Sequence, residues 1–197
     1  VSILPEKSHA LHEVAHFHFR EFGKMLRGTT SLAIASVLKL NDNVAINWAL
    51  ALELMHNASL VHDDVCDEDS QRRYHPTIFA TYGAPLAICF GDWLVAKSFE
   101  HAALASEECN GDSPGVIILL SKVMAKLSTG QAREFSGGPI LDWVGYDNVV
   151  NGKTVPLLAA AVEGPLLLAE KYEFFDDIKR SIESLGVGYQ ISNDILD

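Results

Sequence analysis

The sequence is poor in basic residues, in cysteine and in long apolar runs, and each shortage excludes a class of protein. Only 15 Lys and Arg stand against 26 Asp and Glu, for a formal charge of −11. Nucleic acids and anionic membrane surfaces demand a cationic footprint, so neither is an expected partner. An anionic substrate would need metal ions to approach such a chain. No uninterrupted apolar stretch approaches the ~20 residues that span a bilayer. The run from Val155 ends after Val162 at Glu163, so membrane insertion is not expected. Val1 to Lys7 lack the basic start and apolar core of a secretory signal. The cysteines, Cys66, Cys89 and Cys109, are odd in number and too scattered for a structural zinc cluster. They fit small packing residues of a protein in a reducing cytoplasm.

Polar–apolar alternation at period two is nearly absent, whereas apolar residues recur at helical spacing in segment after segment. The pattern predicts an all-α protein, with helices over about 6–22, 30–39, 43–68, 84–105, 115–135, 145–163, 165–171 and 175–197. Ser106 to Gly115, containing Asn110-Gly111-Asp112-Ser113-Pro114, reads as a loop, as does Gly137-Gly138-Pro139. Neither is long enough for an interdomain linker, so residues 1–197 are expected to form a single helical domain.

The helix from Val44 changes character along its length. It is apolar nearly all round as far as Val61, then runs into Asp63, Asp64, Asp67, Glu68 and Asp69. Anions at a helix C-terminus oppose the helix dipole. At ~5 Å separation each like-charged pair repels by roughly 3 kcal/mol at an effective dielectric near 20. Either water disperses that charge, as on an ordinary acidic surface, or cations bind there. At ~100° per residue, His56, Asp63 and Asp67 fall within about 20° of one helical line, with Asp64 at the shoulder. Carboxylates at i, i+4 suit magnesium, which takes one or two of them, keeps several waters and fills its shell with phosphate oxygens; manganese can substitute.

Further groups could serve phosphate. Arg72 and Arg73 follow the acidic run, and Lys24, Arg27, Lys153 and Thr154 stand in Gly-rich or apolar surroundings. Near the end of the sequence Gln190, Asp194 and Asp197 share a face through i+4 and i+7 spacing, a second oxygen-rich ladder that also carries Asn193. Two facing ladders would make a metal clamp. A competing motif, His12-Glu13-Val14-Ala15-His16, matches the zinc-protease helix. Its extended form fails, because Phe19 and Phe22 stand where a glycine and a third histidine are needed. The N-terminal histidines are therefore expected on the surface of a helix that buries Leu11, Val14, Phe17 and Phe19 or Phe22.

The stretch from Glu53 through His56, Asp63, Asp64 and Asp67 to Arg72-Arg73 resembles the first aspartate-rich region of the trans-polyprenyl diphosphate synthases. Gly23-Lys24-x-x-Arg27, Pro76-Thr77, Gly91-Asp92, Gly130-Gln131, Lys153-Thr154 and Gln190-Ile191-Ser192-Asn193-Asp194-Ile195-Leu196-Asp197 follow the family's order. The resemblance implies the isoprenoid-synthase fold, an antiparallel helical bundle around a central cavity, and a homodimer. It implies condensation of isopentenyl diphosphate with an allylic diphosphate, dependent on magnesium. By position, Asp63, Asp64, Asp67, Asp194 and Asp197 would be metal ligands. Lys24, Arg27, His56 and Arg73 would bind isopentenyl diphosphate, and Arg72, Lys153, Thr154 and Gln190 the allylic partner. The chemistry would centre on Asp63, Asp64, Asp67, Lys153 and Asp194.

Small residues at Ala58 and Ser59, beside Met55, occupy positions where this family's short-chain members place an aromatic plug, implying a product of twenty carbons or more. Four departures stand out: Asn193 replaces an aspartate, Gly28 replaces a proline, the stretch from Gln131 to Tyr146 is shorter than in the family, and the family extends for several helices past the counterpart of Asp197. The domain is thus expected to be C-terminally incomplete, and a catalytically impaired regulatory subunit is the alternative. A terpene cyclase would share the fold and metal chemistry without needing the isopentenyl site.

Overall fold

The computed structural model describes residues 4–20, 23–109, 114–136, 142–175 and scattered positions from 178 to 192. The described chain is almost wholly helical: α1 (His12–His18), α2 (Leu26–Val37), α3 (Asp42–Cys66), α4 (Ile78–Tyr82), α5 (Ala84–Glu107), α6 (Gly115–Ser136), α7 (Trp143–Lys153) and α8 (Val155–Leu168). A two-residue hairpin, β1 (Gln71–Arg72) with β2 (His75–Pro76), and a 3₁₀ turn at Tyr172–Phe174 complete the elements.

Local chemistry explains most boundaries. Asn41 Oδ1 accepts from the Asn43 amide at 2.8 Å and so opens α3. Glu68, at φ 54°, leaves helical geometry just beyond its end. Thr77 caps α4 by accepting from the Ala80 amide at 3.0 Å and donates its own hydroxyl to the Asp69 carbonyl at 2.6 Å. Asp142 caps α7 through the Gly145 amide at 2.8 Å.

Several expectations need correction. The expected helix over 145–163 breaks at Thr154, because Pro156 fits the first turn of a new helix where its missing N–H costs nothing. That new helix then runs through Pro165 to Leu168, so no separate helix starts at 165. The N-terminal helix is confined to His12–His18. The hairpin and α4 escaped notice, since two-residue strands and a single capped turn are too short to leave a periodic signal. Of the thiols, Cys66 and Cys89 are exposed rather than packed. Only Cys109 is partly covered; its thiol donates to the Leu168 carbonyl at 2.9 Å, and burial pushes its pKa up.

Chain contacts group the residues into two compact units, residues 1–25 with 53–98, and residues 26–52 with 99–197. In the first, Leu11, Val14, Ala15, Leu54, Ala58, Val61, Ile78 and Phe90 form a buried cluster. Aromatic pairs flank it, with Phe17 edge-on to Tyr82 at 5.3 Å and Phe90 stacked on Trp93 at 5.9 Å. In the second unit the wholly buried Trp48 donates its indole N–H to the Ala160 carbonyl at 3.2 Å. A β-carbon at Gly164 would overlap that indole. Gly130 and Gly152 likewise let α6 and α7 touch backbone to backbone, since a β-carbon on Gly130 would lie 2.9 Å from the Gly152 carbonyl carbon. By length and composition α3 could cross a bilayer, but more than half of that span is buried inside the protein, as in a core helix.

Candidate active site

The last turn of α3 carries the acidic run. Asp63 is half-buried, Asp64 is 5% exposed, and Asp67 is open to solvent. The chain then reverses through the hairpin, and β1 returns Arg72 to Asp64. The guanidinium donates from both Nε and Nη2 to Asp64 Oδ1 at 2.7 Å each. Burial raises the Asp64 pKa, while the charge and hydrogen bonds of Arg72 oppose that rise. The turn that aims this arginine places Arg73 at φ 52° and Tyr74 at φ 67°, left-handed positions that cost side-chain-bearing residues about 1–2 kcal/mol each. The Arg73 guanidinium packs on Gly23, where a β-carbon would come within 2.7 Å of Nη1. A glycine there lets Arg73 lie beside the segment bearing the exposed Lys24.

The same unit holds His56, half-buried on α3, whose carbonyl accepts from the Ser59 hydroxyl at 2.8 Å. Ala58 belongs to the buried cluster and Met55 is wholly buried. In the other unit Arg27 is half-buried at the start of α2. Lys153, at the end of α7, pairs with Glu134 of α6, and Thr154 forms the joint to α8. Gln190, Asn193, Asp194 and Asp197 lie outside the described residues.

Sequence reasoning missed two contacts. His18 Nε2 donates to Asn57 Oδ1 at 2.8 Å, a tautomer fixed because the Asn57 amide nitrogen already donates to the Glu53 carbonyl at 2.7 Å. Burial lowers the His18 pKa, the positive charges of Arg72 and Arg73 lower it further, and the Asn57 bond opposes both. His18 is therefore a packed, neutral residue rather than a surface one, and it lies edge-on to Phe90 at 5.5 Å. The second contact is Glu134, which follows Gln131 by one helical turn. Each had only a weak sequence signal: a run of histidines, and a carboxylate at i+3.

Among the described residues no three His, Cys, Asp or Glu side chains converge as a metal cluster. Asp64 holds Arg72 through Oδ1 alone, and Asp63 and Asp67, the i, i+4 pair, are further carboxylates at the same end of α3. Two carboxylates suffice for magnesium, and their hard oxygens fit it. The zinc-protease motif has no such support. The His12 and His16 rings lie 4.3 Å apart, but His12 Nδ1 faces the Pro5 carbonyl at 2.9 Å and no third ligand stands near among the described residues.

Comparison with known proteins places the chain in a family. The chain is 34% identical over 179 residues to a short chain isoprenyl diphosphate synthase of Methanocaldococcus jannaschii, covering 89% of this chain and 54% of that protein. It is 34% identical over 194 residues to a geranylgeranyl diphosphate synthase of Saccharolobus solfataricus, covering 93% and 57%. The chain thus spans little more than half the length of these curated relatives. Among solved structures, an isoprenoid synthase family member from Thermotoga neapolitana superposes with a TM-score of 0.87 at 26% identity, covering 98% of this chain and 74% of that one. A geranylgeranyl pyrophosphate synthetase from Geoglobus acetivorans gives 0.86 at 29% identity, covering 97% and 64%. The fold is that of the isoprenoid synthases. Residues 8–197 match the polyprenyl synthetase family profile, and the chain belongs to that family.

Proposed function

We propose that the protein is a prenyltransferase that joins isopentenyl diphosphate head-to-tail to an allylic diphosphate and lengthens the polyprenyl chain. The observation that carries this is the end of α3, where Asp63 and Asp67 line up at i, i+4 while Asp64 fixes Arg72 beside Arg73. Lys24, Arg27, His56 and Arg73 bind the isopentenyl diphosphate. Arg72, Lys153, Thr154 and Gln190 face the allylic diphosphate. Magnesium held by Asp63 and Asp67, with Asp194 and Asp197 from the second motif, would supply Lewis-acid stabilisation of the charge that grows on the leaving diphosphate.

The allylic C1–O bond breaks, and its electron pair leaves with the diphosphate. The isopentenyl double bond attacks C1 of the resulting allylic cation to form the new carbon–carbon bond. A proton is then lost from the isopentenyl unit to the departed diphosphate. Asp64 acts here as a positioning residue, holding the Arg72 fork ready for that diphosphate. Apolar side chains around the prenyl tail exclude the water that would quench the cation.

Incubation with magnesium, isopentenyl diphosphate and geranyl or farnesyl diphosphate should yield longer polyprenyl diphosphates. Asp63→Ala should lower turnover at least ~100-fold, the scale of losing one strong transition-state stabiliser. Turnover that appears only beside a partner chain would assign a regulatory subunit, and consumption of the allylic diphosphate alone would assign a cyclase. For product length we favour twenty carbons or more, supported by the small side chains of Ala58 and Ser59. Since Ala58 is buried in the core cluster, Ala58→Phe would also overpack it. Ser59→Phe, at a half-buried position, is the cleaner test and should shorten the product. A homodimer is the assembly we propose, checked by light scattering.

A further inference from the structure

The side-chain amide of Gln131 on α6 is sealed from solvent at both Nε2 and Oε1, and neither atom has a hydrogen-bond partner among the described residues. Burying an amide without a partner is unfavourable, and native proteins satisfy such groups with protein, ordered water or ligand. The position of Gln131 narrows the choice. Directly before it, Gly130 lies against Gly152, so α6 and α7 meet backbone to backbone there. One turn later Glu134 holds the ammonium group of Lys153, and the chain passes through Thr154 into α8. Gln131 thus stands one turn before the residue that holds Lys153, the neighbour of Thr154 in sequence.

We propose that Gln131 is a binding residue for the allylic substrate, its Nε2 donating a hydrogen bond to a diphosphate oxygen; this rests on the prenyltransferase function given above. The chemistry suits the place. Lys153 is already partly neutralised by Glu134, so a neutral donor of fixed direction adds a contact to the anion without adding a charge that Glu134 would capture. The pairing also accounts for an amide with no partner among the described residues.

The test measures calorimetric binding of an unreactive allylic thiodiphosphate and, separately, of isopentenyl diphosphate, both with magnesium, to wild type and Gln131→Met, together with the ligand-free melting temperature. Loss of one hydrogen bond to a charged group should weaken the allylic analogue about 10-fold or more. Isopentenyl diphosphate binding should be unchanged. The ligand-free melting temperature should stay level or rise, because the substitution removes a buried polar group that has no partner among the described residues. Gln131→Glu, similar in volume but anionic, should lose the analogue as well and covers the case of a poorly folded methionine variant. Unchanged analogue affinity in both variants would overturn the proposal, and so would a lowered melting temperature with unchanged affinity, which would mean the amide bonds within the protein. If wild type binds neither diphosphate, the prenyltransferase function fails and this inference with it. If wild type binds both and the variants match it, Gln131 alone is refuted.

Discussion

At the end of α3 the Asp64 side chain is 7% exposed and takes both prongs of Arg72, whereas at the ends of α6 and α7 the Glu134 side chain, 41% exposed, meets the single ammonium of Lys153. Both places set a carboxylate against a cation, yet the two pairs do different work. A buried carboxylate must be paired, so Asp64–Arg72 is part of the architecture and fixes the direction of an arginine. The solvated Glu134–Lys153 pair contributes little to stability and leaves the lysine exchangeable. The backbone follows the same division. Strained residues at Arg73 and Tyr74 enforce the first arrangement, while a crossing of two glycines permits the second.

The comparison is best broken at its buried end. Arg72→Leu leaves Asp64 buried without its partner and should cost about 3 kcal/mol in urea unfolding at pH 7. The loss has a pH signature. The folded-state pKa of Asp64 is raised above its usual 3.8 by burial, and removing Arg72 removes the opposing influence, so it climbs further. Stability linked to Asp64 is therefore complete below that usual value and is lost as pH rises through the raised one. The deficit of Arg72→Leu should shrink as pH falls from 7 towards 4; a constant deficit would contradict this account. Next in size, Gly152→Ala places a β-carbon 3.0 Å from Gly130 Cα, and overpacking of that kind should cost about 2 kcal/mol in melting experiments.

A smaller effect is expected at His18. His18→Leu removes the bond to Asn57 and should cost about 1 kcal/mol at pH 8. The folded-state pKa of His18 is lowered from 6.5, so the unfolded chain binds the extra proton first and wild type loses stability as pH falls below that value. The variant should lack this part of the acid sensitivity, which unfolding curves at pH 8 and pH 5.5 would reveal. Smallest of all, Glu134→Gln should shift stability by less than about 1 kcal/mol, in keeping with a solvated pair. A cost comparable to that of Arg72→Leu would erase the distinction between the two sites.

The long helices were legible because α3, α5 and α6 each run over five or more turns, enough for apolar spacing to stand out. Their observed ends fall within two residues of those expected from the sequence. The break at Thr154 was not legible, since a proline two residues beyond it is compatible with a helix start or a kink. At the site, the carboxylate ladder and the twin arginines could be read directly, but the engagement of Asp64 could not. That contact depends on a hairpin with two-residue strands, whose turn adopts conformations that Arg and Tyr do not favour by themselves. Nor did His18 stand out among four neighbouring histidines; its burial comes from Phe90 and Asn57, which are distant in sequence.

By itself the sequence determined the helical class and the chemistry on offer, because helical periodicity and the supply of oxygen and guanidinium groups are local properties of the chain. Only the tertiary structure decided how these groups are shared out: Asp64 to an arginine, Asp67 to solvent, Lys153 to Glu134, and the Gln131 amide to no described neighbour. Such pairing depends on which distant side chains lose their water together, and desolvation is a property of the folded packing, not of the order of residues.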